Sequence, residues 1–449
     1  MQQLIVRRAK CRFRLDKGMN SFDVSLRSSC TTKGKLNKRT PKERAVVEMR
    51  TIVVYFVVVN ALVSKVVSWE DIPFDIGMVD RFVPRRSHSS NADLTTSQII
   101  RKEGYPSEAH VISTEDGYLL TLHRIPGKKS SPPVLLQHGL LGSSADWVIS
   151  GRNKALAFIL ADNGYDVWMG NYRGNTYSKA HTSFSSSDSK FWDFSWHEMG
   201  MYDLPAIILH ITNLRQSNLT YVGFSMGTTG FYVMSSRRPD IASRVEIMFS
   251  LAPVAYMSNL GSPVRYIAPM ARDLQIIAHV LGDDEFLPQN DLVRAMSKRF
   301  CDIGNTQRLE CANILFMLCG YDKAQLDPAL VPVIFGHAPA GASIKTLVHY
   351  AQEIVSGKFQ QFDYGVQENL RIYHSSEPPS YDTSRITVPI ALYYADNDMM
   401  ANMKDVHQLS RELKNLVDLY QISFLGVVRS FGDRLGEDSR WCRDKLGLR

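Results

Sequence analysis

The chain has 449 residues and a net charge of +7, but that charge is not spread along it. Residues 1–48 hold thirteen Lys or Arg against four Asp or Glu, a net of +9, so residues 49–449 net −2. The basic balance therefore belongs to a leader and excludes a nucleic-acid-binding body as the meaning of the charge.

The leader, 1–48, has few apolar residues and no amphipathic repeat, and is expected to be disordered or an extension ahead of the true start at Met49. Met49-Arg50 then opens an apolar core, Thr51 to Val59 with Ala61-Leu62-Val63, followed by small residues at Ser64 and Ser68. A positive head, a short apolar core and small residues make 49–68 a secretory signal peptide. The run is short for a membrane span, which takes about 20 apolar residues, and Lys65 interrupts it. A signal anchor is the alternative.

About 380 residues remain, enough for one large α/β domain with an insertion. Its bounds are expected at 69–423. Val134-Leu135-Leu136-Gln137 reads as a buried strand running into His138-Gly139-Leu140-Leu141-Gly142. A His-Gly turn after an early strand is where an oxyanion hole takes one backbone N–H, here that of Leu140. His138 itself reads as a hydrogen-bonded structural residue. Ser183 to Ser189 is a polar loop, the one low-complexity stretch, and no internal repeat stands out.

Leu219-Thr220-Tyr221-Val222 is a short β-prone run, Gly223-Phe224-Ser225-Met226-Gly227 follows it, and Thr228 to Met234 is helix-compatible. Strand, tight turn and helix with a serine at the apex make a nucleophile elbow. Its glycines are needed because side chains two positions either side of the serine would collide with the neighbouring strand and helix. Ser225 is the candidate nucleophile, and the N–H of Met226 the second oxyanion donor. Asn218-Leu219-Thr220, just before the elbow strand, is a glycosylation sequon.

Val245 to Leu251 is the next strand. From Pro253 to about Tyr373 the strand signals stop and the chain turns helix-rich and apolar, as in Ile276 to Leu281 and Ile314 to Leu318. An insertion of about 254–373 is expected to form a cap whose inner face receives acyl chains, with most of those apolar residues simply core. The whole reads as a mostly parallel sheet with helices on both faces. No cofactor is implied, and no metal-ligand spacing occurs.

Pro389 to Tyr394 is a late strand opening into Ala395-Asp396-Asn397-Asp398. Asp398 or Asp396 could orient an imidazole, or both could be turn formers and caps. Asp405 is a poorer choice, already on the next helix. That helix, Met403 to Leu416, spaces Val406, Leu409, Leu413 and Leu416 along one face. It carries His407, which is expected to face solvent. Leu416 to Tyr420 is the last strand.

Long stretches make the chain recognisable: Thr114 to Tyr118, Leu136 to Ser143, Leu160 to Trp168, Gly170 to Thr176 and Glu198 to Ala206. From about Asn91 to about Tyr420 it resembles the acid lipase family, the gastric, lysosomal and insect digestive lipases. The resemblance implies an α/β-hydrolase fold with a helical cap, Ser225 as nucleophile, Asp398 as the acid, and Leu140 and Met226 N–H as the oxyanion hole. It implies a neutral lipid ester as substrate at a lipid–water interface, and a secreted or lysosomal location. It also implies a short-range disulfide in the cap, which Cys301 and Cys311 fit, leaving Cys319 as a buried thiol. Such a loop is worth on the order of 3 kcal/mol. Phe224 and Met226 stand where the family usually has His and Gln, and neither change removes a required group.

One element is missing. In the family the base is a histidine in a His-x-Asp-Phe-x-Trp segment after the last strand, yet no histidine follows His407. The tail 424–449 is charged and lacks apolar periodicity, with Arg429, Arg434 and Arg440 interleaved with Asp433, Glu437 and Asp438. Loss of one triad member leaves about 10³–10⁴-fold rate enhancement from binding and the oxyanion hole, so the chain is expected to be close to inactive. Either an altered reading frame after Tyr420 or a pseudo-enzyme with a retained lipid pocket would produce this pattern. A non-catalytic lipid-binding or carrier protein is the second functional class, and a haloperoxidase on the same fold a distant third.

Overall fold

The computed structural model describes residues 91–281, 284–288, 327 and 329–422. The leader, the signal peptide, Ile314 to Leu318, the tail 424–449 and Cys301, Cys311 and Cys319 lie outside the described residues. All described residues fall within one compact unit, Gly77–Arg449.

Among the described residues, nine strands form one sheet. In chain order they are β1 (Glu108–Ser113), β2 (Tyr118–Ile125), β3 (Pro133–Gln137), β4 (Asp166–Met169), β5 (Ala180–His181), β6 (Leu219–Phe224) and β7 (Val245–Leu251). After the short pair β8 (Glu285–Phe286) and β9 (Ala342–Ser343) come β10 (Ile390–Ala395) and β11 (Leu416–Ile422). The order across the sheet is β1-β2-β4-β3-β6-β7-β10-β11, with β5 on β2. From β4 to β11 every pairing is parallel, and only β1 and β5 with β2, and β2 with β4, run antiparallel. This is the α/β-hydrolase arrangement the sequence led to.

Burial explains why these residues are strands. β3, β4 and β10 are buried along their whole length, the near-continuous apolar signature of a parallel sheet covered on both faces. One apolar cluster, with Leu135, Trp168, Tyr221 and Phe231, lies on one face; another, with Leu136, Phe158, Met169 and Tyr393, lies on the other. The helices that position the site are α1 (Thr96–Lys102), α2 (Leu156–Asp162), α3 (Leu204–Arg215) and α4 (Met226–Arg237). They continue with α5 (Ala271–Leu281), α6 (Val331–His337), α7 (Ile344–Ser356), α8 (Val366–Tyr373) and α9 (Met403–Glu412).

Three of the recognisable stretches meet at one buried cation. Arg173 Nε and N donate to Asp203 at 2.7 and 2.9 Å, and its two terminal nitrogens grip Asp116 at 2.5 and 2.8 Å. The guanidinium also lies 3.9 Å from the Tyr118 ring centre. Arg173 and Asp203 are both essentially fully buried. An ion pair in that position is tolerable only because nearly every donor and acceptor is matched.

The structure corrects four expectations. β8 and β9 pair antiparallel inside the stretch where strand signals stop; two residues each are too few for periodicity to show. The helix after β10 ends at Glu412, so Leu416 opens β11 and does not continue the helical stripe. Ile276, Ile277 and Val280 are 56–78% exposed, not core. The face of α5 that packs is Ala278, against Ile344, Val348 and Phe362. His407 is half-buried and bonded, not solvent-facing.

Candidate functional site

Ser225 sits between β6 and α4 with φ 50° and ψ −116°, a conformation that costs a non-glycine residue about 1–3 kcal/mol. The surroundings hold it there. Its N–H donates to Leu251 O on β7 at 2.9 Å, and its carbonyl accepts from Thr228 N at 2.8 Å and Thr228 Oγ1 at 2.6 Å. The same hydroxyl accepts from Val254 N at 2.9 Å, so one threonine ties the elbow to the segment leaving β7. A Cβ on Gly227 would stand 2.4 Å from Gln137 O, and one on Gly223 3.0 Å from the Gly227 carbonyl. The tight passage of β6 into α4 beside the end of β3 therefore needs both glycines.

The loop after β3 lies directly over the serine: a Cβ on Gly139 would be 3.1 Å from Ser225 Cβ. Leu141 takes φ 59° there, Gly142 N donates to Gly139 O at 3.2 Å, and Ala340 N donates to Leu141 O at 2.7 Å. Among the described residues, neither Leu140 N nor Met226 N donates to a protein acceptor. Met226 is the first residue of α4, whose opening amides have no partner within the helix and carry its positive end. Two free amides beside a strained serine can receive a developing negative charge.

His138 is buried and fully engaged. Its Nδ1–H donates to Gly139 O at 2.8 Å, and Nε2 accepts from Tyr172 N at 3.1 Å and Asn175 Nδ2 at 3.2 Å. Burial pushes it down to about 4, against the opposing Gly139 carbonyl, so the ring is neutral at ordinary pH. It braces the loop after β3 against the loop after β4, the structural role its position suggested.

The acidic loop after β10 separates its candidates. Asp396 is exposed, whereas Asp398 is 5% exposed. Asp398 Oδ1 accepts from Met400 N and Ala401 N, both at 2.8 Å. Burial pushes the Asp398 carboxyl up to about 6, although those two amides pull the other way. Asp405 lies on α9, buried, and accepts from Ser258 Oγ, Asn259 N and Asn259 Nδ2. It is committed to holding the chain after β7.

Among the described residues, no histidine nitrogen bonds to Ser225 or Asp398. His407 Nε2 lies 3.3 Å from Tyr394 OH. His349 bonds Ser195 Oγ and Gln360 O, His123 bonds Ser144 Oγ, His197 bonds Tyr381 OH, and His337 bonds Asn91 O. Among the described residues there is also no group of three His, Cys, Asp or Glu able to hold a metal, and no helix long and apolar enough to cross a membrane. Asn218 is exposed in the turn before β6, with Nδ2 3.4 Å from Ser243 O.

Ser225, Leu140 and Met226 stand out in the local sequence pattern, whereas Thr228 and Val254 do not. Threonine in the first turn of a helix is unremarkable locally, and its partner is 26 residues away.

Comparison with known proteins points to the same fold. Residues 96–151 match a family model described as a partial alpha/beta-hydrolase lipase region, and residues 132–273 match one described as the alpha/beta hydrolase fold. Lipase 3 of Drosophila melanogaster is 43% identical over 333 residues, 72% of this chain and 84% of that protein. Lysosomal acid lipase/cholesteryl ester hydrolase of Homo sapiens is 40% identical over 72% of this chain and 83% of its own length. Gastric triacylglycerol lipase of Bos taurus is 39% identical over 75% and 86%.

Proposed function

Because the chain belongs to the acid lipase family of α/β-hydrolases, we propose that it is a lipase scaffold for neutral lipid esters, triacylglycerol or steryl ester, whose turnover is crippled by the lack of a catalytic base. Ser225 is the nucleophile, Asp398 the acid, and Leu140 and Met226 N–H the oxyanion donors. In a complete site Ser225 Oγ attacks the ester carbonyl, the two amides hold the oxyanion, the alcohol leaves, and water clears the acyl-enzyme. Each half-reaction needs a group that takes the proton from the attacking oxygen and returns it to the departing one. No histidine follows His407 to do so.

The observation that carries this reading is Asp398. Both amide contacts fall on Oδ1, no imidazole among the described residues bonds the carboxyl, and burial drives its proton affinity upward. A triad acid paired with imidazolium has the opposite tendency, because the cation favours the ionised form.

The helical stretch 254–373 serves in this reading as the cap over the acyl site, within a domain spanning 69–423. The signal peptide at 49–68 and an exposed sequon at Asn218 support a secreted or lysosomal glycoprotein. A second reading, a non-catalytic lipid-binding protein, is favoured by the same missing histidine.

Fluorophosphonate labelling tests the reading, because the probe reports serine activation without a complete catalytic cycle. The full chain is expected to label at Ser225 far more slowly than the human or bovine relative under equal conditions. A Ser225→Ala control should abolish what labelling remains. Labelling as fast as in those relatives would show an activated serine and overturn the proposal.

A further inference from the structure

Helix α7 begins at a Ser343 cap and stops at Gly357, φ 66°. Positions 345, 349 and 353 share one face at four-residue spacing. They are Lys, His and Glu, yet only 7%, 1% and 2% exposed. Two of the three are well matched. Lys345 Nζ bonds Asp193 Oδ1 at 2.7 Å and Tyr364 OH at 3.1 Å, with Arg272 of α5 in the same pocket. His349 accepts or donates at Ser195 Oγ (2.9 Å) and Gln360 O (3.0 Å) and stacks on Trp196 at 3.6 Å, with His197 and Lys345 as the titratable groups facing it and Glu198 facing Lys345.

Glu353 is different. Both its carboxylate oxygens are buried without a hydrogen-bond donor among the described residues. Among the described residues, the groups facing it are the buried Asp405 of α9 and the phenols of Tyr256, Tyr350 and Tyr381; none is a cation. Glu412 is occupied by Tyr256 OH at 2.6 Å and by Thr383 Oγ1. A carboxyl placed this way is held as the neutral acid, since ionising it would bury an unpaired charge beside another carboxylate.

The helix reaches the elbow. Tyr350 OH meets Thr229 Oγ1 at 3.0 Å, and Thr229 Oγ1 donates to Val254 O at 2.8 Å. Val254 N in turn donates to the Thr228 hydroxyl that holds Ser225 O. We propose that α7 is a pH-sensitive strut: Glu353 lets it seat on the nucleophile helix in mildly acidic solution and loosens it as the solution turns alkaline.

The direction follows from linkage. Burial, reinforced by Asp405, raises Glu353 well above 4.5 in the folded chain. Its stabilising contribution is complete below the unfolded value and is lost as pH rises through the folded one. His349 acts oppositely: burial lowers it well below 6.5, so its contribution is complete above 6.5 and is lost as pH falls. The two leave α7 most firmly held between those limits. This rests on packing and not on catalysis, so it stands or falls separately from the lipase reading.

The test compares thermal midpoints of the full chain and Glu353→Gln at pH 5 and pH 8. Other carboxyls titrate in both proteins, so the difference between them isolates Glu353. Between the two pH values the unaltered chain is expected to lose about 4 °C more than Glu353→Gln does. Equal losses overturn the proposal. Hydrogen exchange of the unaltered chain decides the matter even if the variant does not fold. Corrected for intrinsic rates, amides of 344–356 should lose at least tenfold more protection at pH 8 than those of 219–224, and uniform loss contradicts the strut.

Discussion

Thr228→Val removes one hydroxyl and almost no volume, which isolates the bridge that holds Ser225. The Thr228 hydroxyl is buried, donates to Ser225 O at 2.6 Å and accepts from Val254 N at 2.9 Å. In the variant Ser225 O keeps the Thr228 N–H at 2.8 Å, so the carbonyl remains satisfied. The Val254 N–H does not: Val254 is 4% exposed, and no water can replace the lost acceptor without the chain opening. A buried donor left without a partner costs about 1–3 kcal/mol. Losing the second bond to the strained serine adds about 0.5–1 kcal/mol. Valine and threonine have similar helix propensity, so the expected loss is about 1.5–4 kcal/mol in total. Urea unfolding at pH 5 should show it as a lower midpoint at unchanged slope. Thr228→Ser keeps both partners and should stay within about 1 kcal/mol of the unaltered chain, a loss of packing only. A Thr228→Val protein as stable as the original, to within about 0.5 kcal/mol, would refute the idea that this bridge holds the elbow.

Three further outcomes follow from named contacts. Asp398→Asn keeps an acceptor for Met400 N and Ala401 N but cannot ionise. Asp398 rises from 3.8 to about 6 on folding, so its stabilising contribution is present below 3.8 and lost as pH rises through 6. The variant should therefore match the unaltered chain at pH 4 and exceed it at pH 8, by on the order of 2 kcal/mol; equal stability at pH 8 would show a cation already pairing the carboxylate. Gly227→Ala drives a methyl to 2.4 Å from the Gln137 carbonyl, and backbone must move, at about 3 kcal/mol or more by urea unfolding. Expression through the secretory route should give a glycosidase-sensitive species that Asn218→Gln removes; an unchanged gel mobility would show that the sequon is not used.

The parallel core was legible because buried strands write themselves as short apolar runs. Val245–Leu251 needed no adjustment, and β3, β6, β10 and β11 differ from their expected bounds by one or two residues at an end. The elbow was legible because a G-x-S-x-G between strand and helix is a local backbone requirement. The acid was not fully legible, since Asp396 and Asp398 differ only in burial, which spacing cannot supply. Least visible was α7. Lys345, His349 and Glu353 are residue types that ordinarily lie outside, and the partners that draw two of them inward are Asp193 and Ser195, about 150 residues earlier. Arg173 hid its role for the same reason, reaching Asp116 and Asp203 on separate elements. Pairings of this length leave no period in the chain.

In the proposed reading the nucleophile stands ready without a group to deprotonate it. Steady-state hydrolysis of a p-nitrophenyl ester by the full chain, measured beside Ser225→Ala at pH 5 and pH 7, addresses it directly. The two proteins are expected to differ by no more than about tenfold, with what remains coming from binding and the oxyanion donors. Serine-dependent turnover in the ordinary enzymatic range, about 1–10³ per second, would contradict it and require a base that acts on Ser225.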